Sequence, residues 1–217
     1  MNELIFRNVS ILDGTGAPAF AGDVSISAGR INEVGTVSEG LAPGGREIDA
    51  AGATLAPGLI DTHAHDDGAF FRHPGMEFKL AQGVTTVVSG NCGFSAIPAD
   101  PMQDSVAASG GILAGLEGQF TDLDGYFGAA LERGPAINNM MLVGHNTVRS
   151  LVMGGEKRAP TDTEIALMQE HVSHALAQGA CGFSSGLIHR PGRYSATAAV
   201  IELAKMPPPF DALYTTH

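Results

Sequence analysis

The sequence predicts an α/β chain in which a small β module, residues 1–55, precedes a parallel β/α unit, residues 56–217. Three observations carry this reading. The first fifty-odd residues alternate apolar and polar positions between glycine-containing turns. From Leu55 onward the pattern becomes strand, loop, helix, and repeats, which implies a parallel sheet covered by helices. Third, His63, Cys92 and His217 all fall at the C-terminal ends of predicted strands, the edge where a β/α barrel concentrates its chemistry.

In the module, Leu4, Phe6 and Val9 mark a first strand that breaks near Asp13 and Gly14. Val24 and Ile26 alternate with Ser25 and Ser27, and Ala28-Gly29-Arg30 turns the chain into a run from Ile31 to Val34, a hairpin pattern. Arg46 to Ile48 leads through Gly52 into Thr54, Leu55 and Ala56. So few strands do not close a core by themselves.

Five apolar runs follow: Leu59-Ile60, Val84 to Val88, Met140 to Val143, Ala180 to Phe183, and Ala212 to Tyr214. The second is continuous and β-branched, as expected of a strand buried on both faces. Between them, Thr121 to Glu132 reads as a helix with Thr121 as N-cap and Gly134-Pro135 as stop. Thr161 and Glu164 form a capping box that opens a second helix, with Ile165, Met168, Val172 and Leu176 on one face and Gly179 closing it. Val200 to Ala204 is helical until Pro207-Pro208-Pro209 forbids continuation. The connection from Gly93 to about Gln119 is long for this class, and long connections usually have a task.

Composition narrows the function. With 12 basic against 23 acidic side chains the formal charge is −11, so no basic patch is available to neutralise nucleic-acid phosphates or an anionic membrane. No run of about 18 apolar residues occurs to span a bilayer. The start, Met1 to Leu4, lacks the positive n-region of a signal peptide. Two cysteines, Cys92 and Cys181, make no disulfide framework; a reducing compartment fits, and a cytoplasmic location is expected. The 29 glycines point to tight turns and to backbone packed close to other groups.

His63 and His65 form an H-x-H pair at a strand end. Side chains two apart on a strand point the same way, so both imidazoles can reach one metal ion. A bare H-x-H more often means two loop histidines; here Ala56 to Asp61 precede it and Asp66-Asp67 follow, carboxylates that can orient ligand histidines. Cys92, between Gly90 and Gly93, is either an inert buried thiol or a thiolate presented by a tight turn. Cys181 starts a strand, away from the expected active edge, and reads as inert. His217 gains meaning only from its place at the end of the fifth strand. His145, ending the third, is either an active-site shell residue or a satisfied core histidine. His171 and His174 read as surface or boundary residues of a helix, and His73 and His189 as loop residues on the active face, where pocket lining is open to them.

Ala56-Pro-Gly-Leu-Ile-Asp-Thr-His-Ala-His-Asp-Asp67 resembles the first-strand signature of the amidohydrolase superfamily. Gly83 to Gly93, with its Ser-Gly-Asn-Cys-Gly end, is similar to the N-acyl-D-amino-acid deacylases (D-aminoacylases), as are Gly182 to Leu187 and Leu213 to His217. The resemblance implies a partial (β/α)8 TIM-type metal-dependent hydrolase barrel, about strands 1–5, preceded by part of a small β-sandwich. It implies zinc held by His63, His65, Cys92 and His217, with Asp66 and His145 as further shell candidates. The small-molecule partner would be an N-acyl-D-amino acid, hydrolysed at its amide bond with an aspartate moving the proton. That aspartate and a further metal-binding histidine are expected beyond residue 217, so the chain reads as an N-terminal portion, inactive alone. The alternatives are a hydantoinase or dihydroorotase-like cyclic amidase and a non-catalytic metal-binding fragment. The fourth strand lacks the carboxylated lysine that the cyclic amidases use, and a cysteine at position 92 favours the deacylases.

Overall fold

The structure, a computed structural model, describes residues 2–99, 113, 116 and 120–217. It divides into two compact units, Met1–Gly58 and Leu59–His217.

The first unit is a five-stranded mixed sheet. Strands β1 (Asn2–Ile11), β2 (Phe20–Ser27), β3 (Arg30–Gly35) and β4 (Leu41–Asp49) lie in the order β3-β2-β1-β4, and β5 (Thr54–Leu55) also pairs with β1. The hairpin between β2 and β3 turns on Ala28 and Gly29, both left-handed at φ +49° and +70°, the two-residue geometry whose twist matches paired strands. Val9, Ile11 and Val24 make a small buried cluster with Phe6, Ala50 and Leu55 packed against it. Arg7 ties β1 to both neighbours, through Asp23 at 2.8 Å and Glu47 at 3.1 Å.

The second unit is a five-stranded sheet in which β6 (Leu59–Asp61), β7 (Val84–Ser89), β8 (Asn138–Gly144), β9 (Gly182–Ser185) and β10 (Leu213–Thr216) lie side by side in chain order. Every pairing is parallel. All five C-terminal ends therefore share one edge. Helices α3 (Leu123–Glu132), α5 (Asp162–Ala177) and α6 (Thr197–Ala204) fall where the apolar periodicity places them. Met168, Val172 and Leu176 of α5 are buried in one core with Val87, Met141, Val143 and Phe183, while Ile165 packs at its margin.

Three helices escape the sequence pattern. α1 (Ala69–Arg72) and α2 (Glu77–Leu80) span four residues each, too few for a period, and neither has a side-chain cap. α4 (His145–Met153) leaves β8 directly, with Gly144 where a capping side chain would signal a start. The N-cap of α3 is Asp122 rather than Thr121: the Asp122 carboxylate accepts from the Gly125 amide at 2.9 Å. An ionised oxygen there also complements the helix dipole. The capping box of α5 closes as expected, and Arg158 grips Glu164 with bonds of 2.6 and 2.8 Å, which holds that carboxyl down at about 2. The long connection from Gly93 to Gln119 lies largely outside the described residues.

Candidate metal centre

β6 ends at Asp61, so His63 and His65 lie just past the strand rather than on it. The alternation that aligns them survives because the Ala64 amide donates to the Val88 carbonyl at 3.0 Å, extending the pairing with β7. The two rings meet edge to face with centroids 5.6 Å apart.

Cys92 sits in a 3-10 turn, Asn91–Gly93, immediately after β7. Gly90, Cys92 and Gly93 are all left-handed, at φ +78°, +54° and +81°. The turn is pressed against its neighbours. A Cβ on Gly90 would lie 2.0 Å from the Leu142 carbonyl oxygen, and one on Gly93 2.6 Å from Asn146 Nδ2. Only glycine fits either position. The effect is to present a buried thiol at the C-terminal edge, where Cys92 Sγ lies 3.2 Å from His63 Nε2 and 3.1 Å from His217 Nδ1. His63, His65 and Cys92 each offer a ligand atom within 4.8 Å of the others. His217 extends the β9–β10 ladder, its amide donating to the Ser185 carbonyl at 2.9 Å.

This donor set suits a thiophilic ion. Around a tetrahedral zinc, with Zn–S near 2.3 Å and Zn–N near 2.0 Å, sulfur and nitrogen donors stand roughly 3.5 Å apart. The two sulfur–nitrogen spacings, 3.2 and 3.1 Å, need to open by only a few tenths of an ångström. Burial pushes the Cys92 thiol up, so a metal must displace its proton. Burial pushes the His65 pKa down, assisted by His63, and leaves a neutral imidazole able to ligate.

The neighbouring acids are occupied. Asp61 accepts from Lys79 at 2.7 Å and from the His63 amide at 3.2 Å, and the lysine holds its carboxyl below the usual range. Asp66 pairs with the same Lys79 at 2.8 Å rather than orienting a histidine. His145 opens α4 instead of ending β8, and its Nε2 lies 3.3 Å from Ser195 Oγ. Burial, then Arg149, pushes it down to about 4, so it is a neutral core histidine. Cys181 precedes β9, at the opposite end from Cys92. His189, read as a loop residue, stands with its ring 5.2 Å from that of His217 and 5.4 Å from Phe94.

Asp67, read with Asp66 as a carboxylate able to orient the histidines, instead binds backbone amides that follow β7. It is fully buried, and its carboxylate accepts from the Ala96 amide at 2.9 Å and the Gly90 amide at 3.3 Å. Burial raises its pKa from 3.8 to about 6. The folded chain therefore keeps this proton where the unfolded chain has lost it. Stability from this group is greatest below the unfolded value and falls as pH rises through about 6, by about 3 kcal/mol for such a shift. In urea titrations, Asp67→Asn should gain on the wild type as pH rises from about 4 to about 7. A pH-independent difference between the two would refute the assignment.

Comparison with known proteins places the chain among characterised relatives. A family model described as "Amidohydrolase family" matches residues 46–178. The N-acyl-D-glutamate deacylase of Alcaligenes xylosoxydans xylosoxydans is 40% identical over 99% of the chain, and the N-acyl-D-aspartate deacylase of the same organism 38% identical over 99%. The chain spans 43% of the length of each. Among solved structures, the N-acyl-D-glutamate deacylase of Bordetella bronchiseptica, complexed with zinc and a phosphonate mimic of the tetrahedral intermediate, matches with a TM-score of 0.88 and 39% identity. That match covers 100% of this chain and 45% of the other.

Proposed function

The chain belongs to the amidohydrolase family, and from that premise we propose that it carries the zinc-binding half of an N-acyl-D-amino-acid deacylase, which hydrolyses the substrate amide to a carboxylate and a free D-amino acid. On this reading β6–β10 are the first five strands of a (β/α)8 barrel and residues 1–55 are part of a β-sandwich. The observation that carries it is Cys92 Sγ lying within 3.2 Å of both His63 Nε2 and His217 Nδ1 at one sheet edge.

His63, His65, Cys92 and His217 would hold the ion. Zinc there supplies a Lewis acid for the amide carbonyl and makes water a better nucleophile at neutral pH. The chain's own residues then divide the remaining work. Lys79 offsets the charge of Asp61 and Asp66 beside the histidine pair. Asp67 is tied to two backbone amides. None of these three carboxylates is free to take a proton from water, so general-base catalysis needs a group beyond them.

The expected result is a 217-residue chain that binds zinc yet hydrolyses N-acetyl-D-glutamate and N-acetyl-D-methionine negligibly. A chimera that appends the remaining strands of the N-acyl-D-glutamate deacylase should turn over the D- but not the L-substrate, in a manner that requires Cys92. A folded chain without zinc, or a chimera with equal activity on both enantiomers, would overturn the reading. Substantial D-specific turnover by the short chain would show that one of residues 61–67 serves as base.

A further inference from the structure

The Cys92 turn is gripped by buried side chains from two neighbouring segments. Ser184, on β9 and fully buried, brackets it: its hydroxyl accepts from the Gly93 amide at 3.0 Å and donates to the Gly90 carbonyl at 2.5 Å. Asn146, near the start of α4 and also fully buried, donates both amide hydrogens, to the Cys92 carbonyl at 3.2 Å and to the Gly186 carbonyl at 3.3 Å. The reverse orientation of the amide would set its oxygen against two carbonyl oxygens, so the contacts fix its direction. A Cβ on Gly186 would stand 2.2 Å from the Cys92 carbonyl oxygen, so the backbone is packed tightly against this latch.

These contacts matter because Cys92 holds a left-handed backbone at φ +54°, which a side-chain-bearing residue resists. Such a conformation persists only where the surroundings over-determine it. The direction of the thiol follows from it.

We propose that Ser184 and Asn146 are positioning residues for Cys92, fixing its thiolate on the metal although neither offers the metal an atom. The proposal rests on Cys92 being a ligand, the reading given above. It assigns to the β9 serine and the α4 asparagine the outer-shell role usually played by groups bonded directly to a ligand side chain, here exercised through the ligand's backbone.

Cobalt(II) titration of the 217-residue chain tests it, because a cysteine ligand adds a thiolate-to-cobalt charge-transfer band in the near ultraviolet. The wild type should show the band and Cys92→Ala should not; a wild type without it sinks the ligand reading itself. Given the band, Ser184→Ala and Asn146→Ala should weaken cobalt binding by about 10- to 100-fold and diminish the band at saturation. Val172→Ala is the control, since it truncates a fully buried core side chain on α5 and none of the turn's hydrogen bonds, and should bind as the wild type does. Wild-type affinity and band in Ser184→Ala and Asn146→Ala overturns the proposal. So does an equal loss in Val172→Ala, which would mark a general effect of destabilising the core. Ser184→Ala loses a single hydroxyl and carries the test alone if Asn146→Ala does not fold.

Discussion

Replacing Cys92 with alanine is expected to lower the chain's zinc affinity by about two orders of magnitude, while Cys181→Ala leaves it unchanged. Structural zinc sites with four protein donors are worth roughly 10–16 kcal/mol; on that scale one donor accounts for about 3 kcal/mol, or about a hundredfold. The loss should be no smaller here. Cys92 Sγ is the atom that lies within 3.2 Å of both His63 Nε2 and His217 Nδ1, linking the imidazole that follows β6 to the one that follows β10. Cys181 precedes β9, at the far end of the strands, so its removal serves as the thiol control. Zinc content after dialysis, with competition against a chromophoric chelator, reads both variants. Equal zinc in the two would remove Cys92 from the centre.

The site was legible in sequence because its parts fall where a parallel sheet gathers them. His63, Cys92 and His217 are separated by 29 and 125 residues, yet each follows its strand by one to three positions. Once the strands are parallel and adjacent in chain order, one edge collects all three. Strand identity was legible for the same reason: Val84 to Val88 and Met140 to Val143 are apolar runs too short for helices.

The polar support was not legible. Asp67, Asn146 and Ser184 carry no local pattern, and their meaning lies in bonds across 23, 54 and 91 residues. Tertiary packing alone brings them to the Cys92 turn. The place of His145 was hidden for a related reason. The apolar run of β8 ends beside it, but Gly144 lets α4 begin at once, and the imidazole turns to Ser195. The partner of Asp66 was hidden too, because Lys79 lies on a four-residue helix with no periodic signal.

Gly90→Ala should destabilise the chain by about 3 kcal/mol or more, while Gly128→Ala should stabilise it by roughly 0.5–1 kcal/mol. At Gly90 two penalties add. The backbone is left-handed at φ +78°, where an L side chain costs about 1–2 kcal/mol. The new methyl would also stand 2.0 Å from the Leu142 carbonyl oxygen and 2.9 Å from its carbon. Those atoms belong to the backbone of β8, whose residues Met141 to Val143 are buried, so they cannot rotate aside as a flexible side chain would. Overpacking against such a wall adds about 1–3 kcal/mol. Gly128 is the counter-case: it lies inside α3 with nothing within 4 Å of an added Cβ, so alanine only removes glycine's entropic cost in a helix. Urea denaturation of both variants at one pH measures the contrast. The penalty at Gly90 should also reach the metal centre, because relieving the clash moves the segment that sets Cys92. Zinc affinity should therefore fall in Gly90→Ala under conditions where the variant is still fully folded. A Gly90→Ala chain as stable as the wild type, with unchanged zinc affinity, would mean that the turn does not approach β8 as closely as Leu142 indicates.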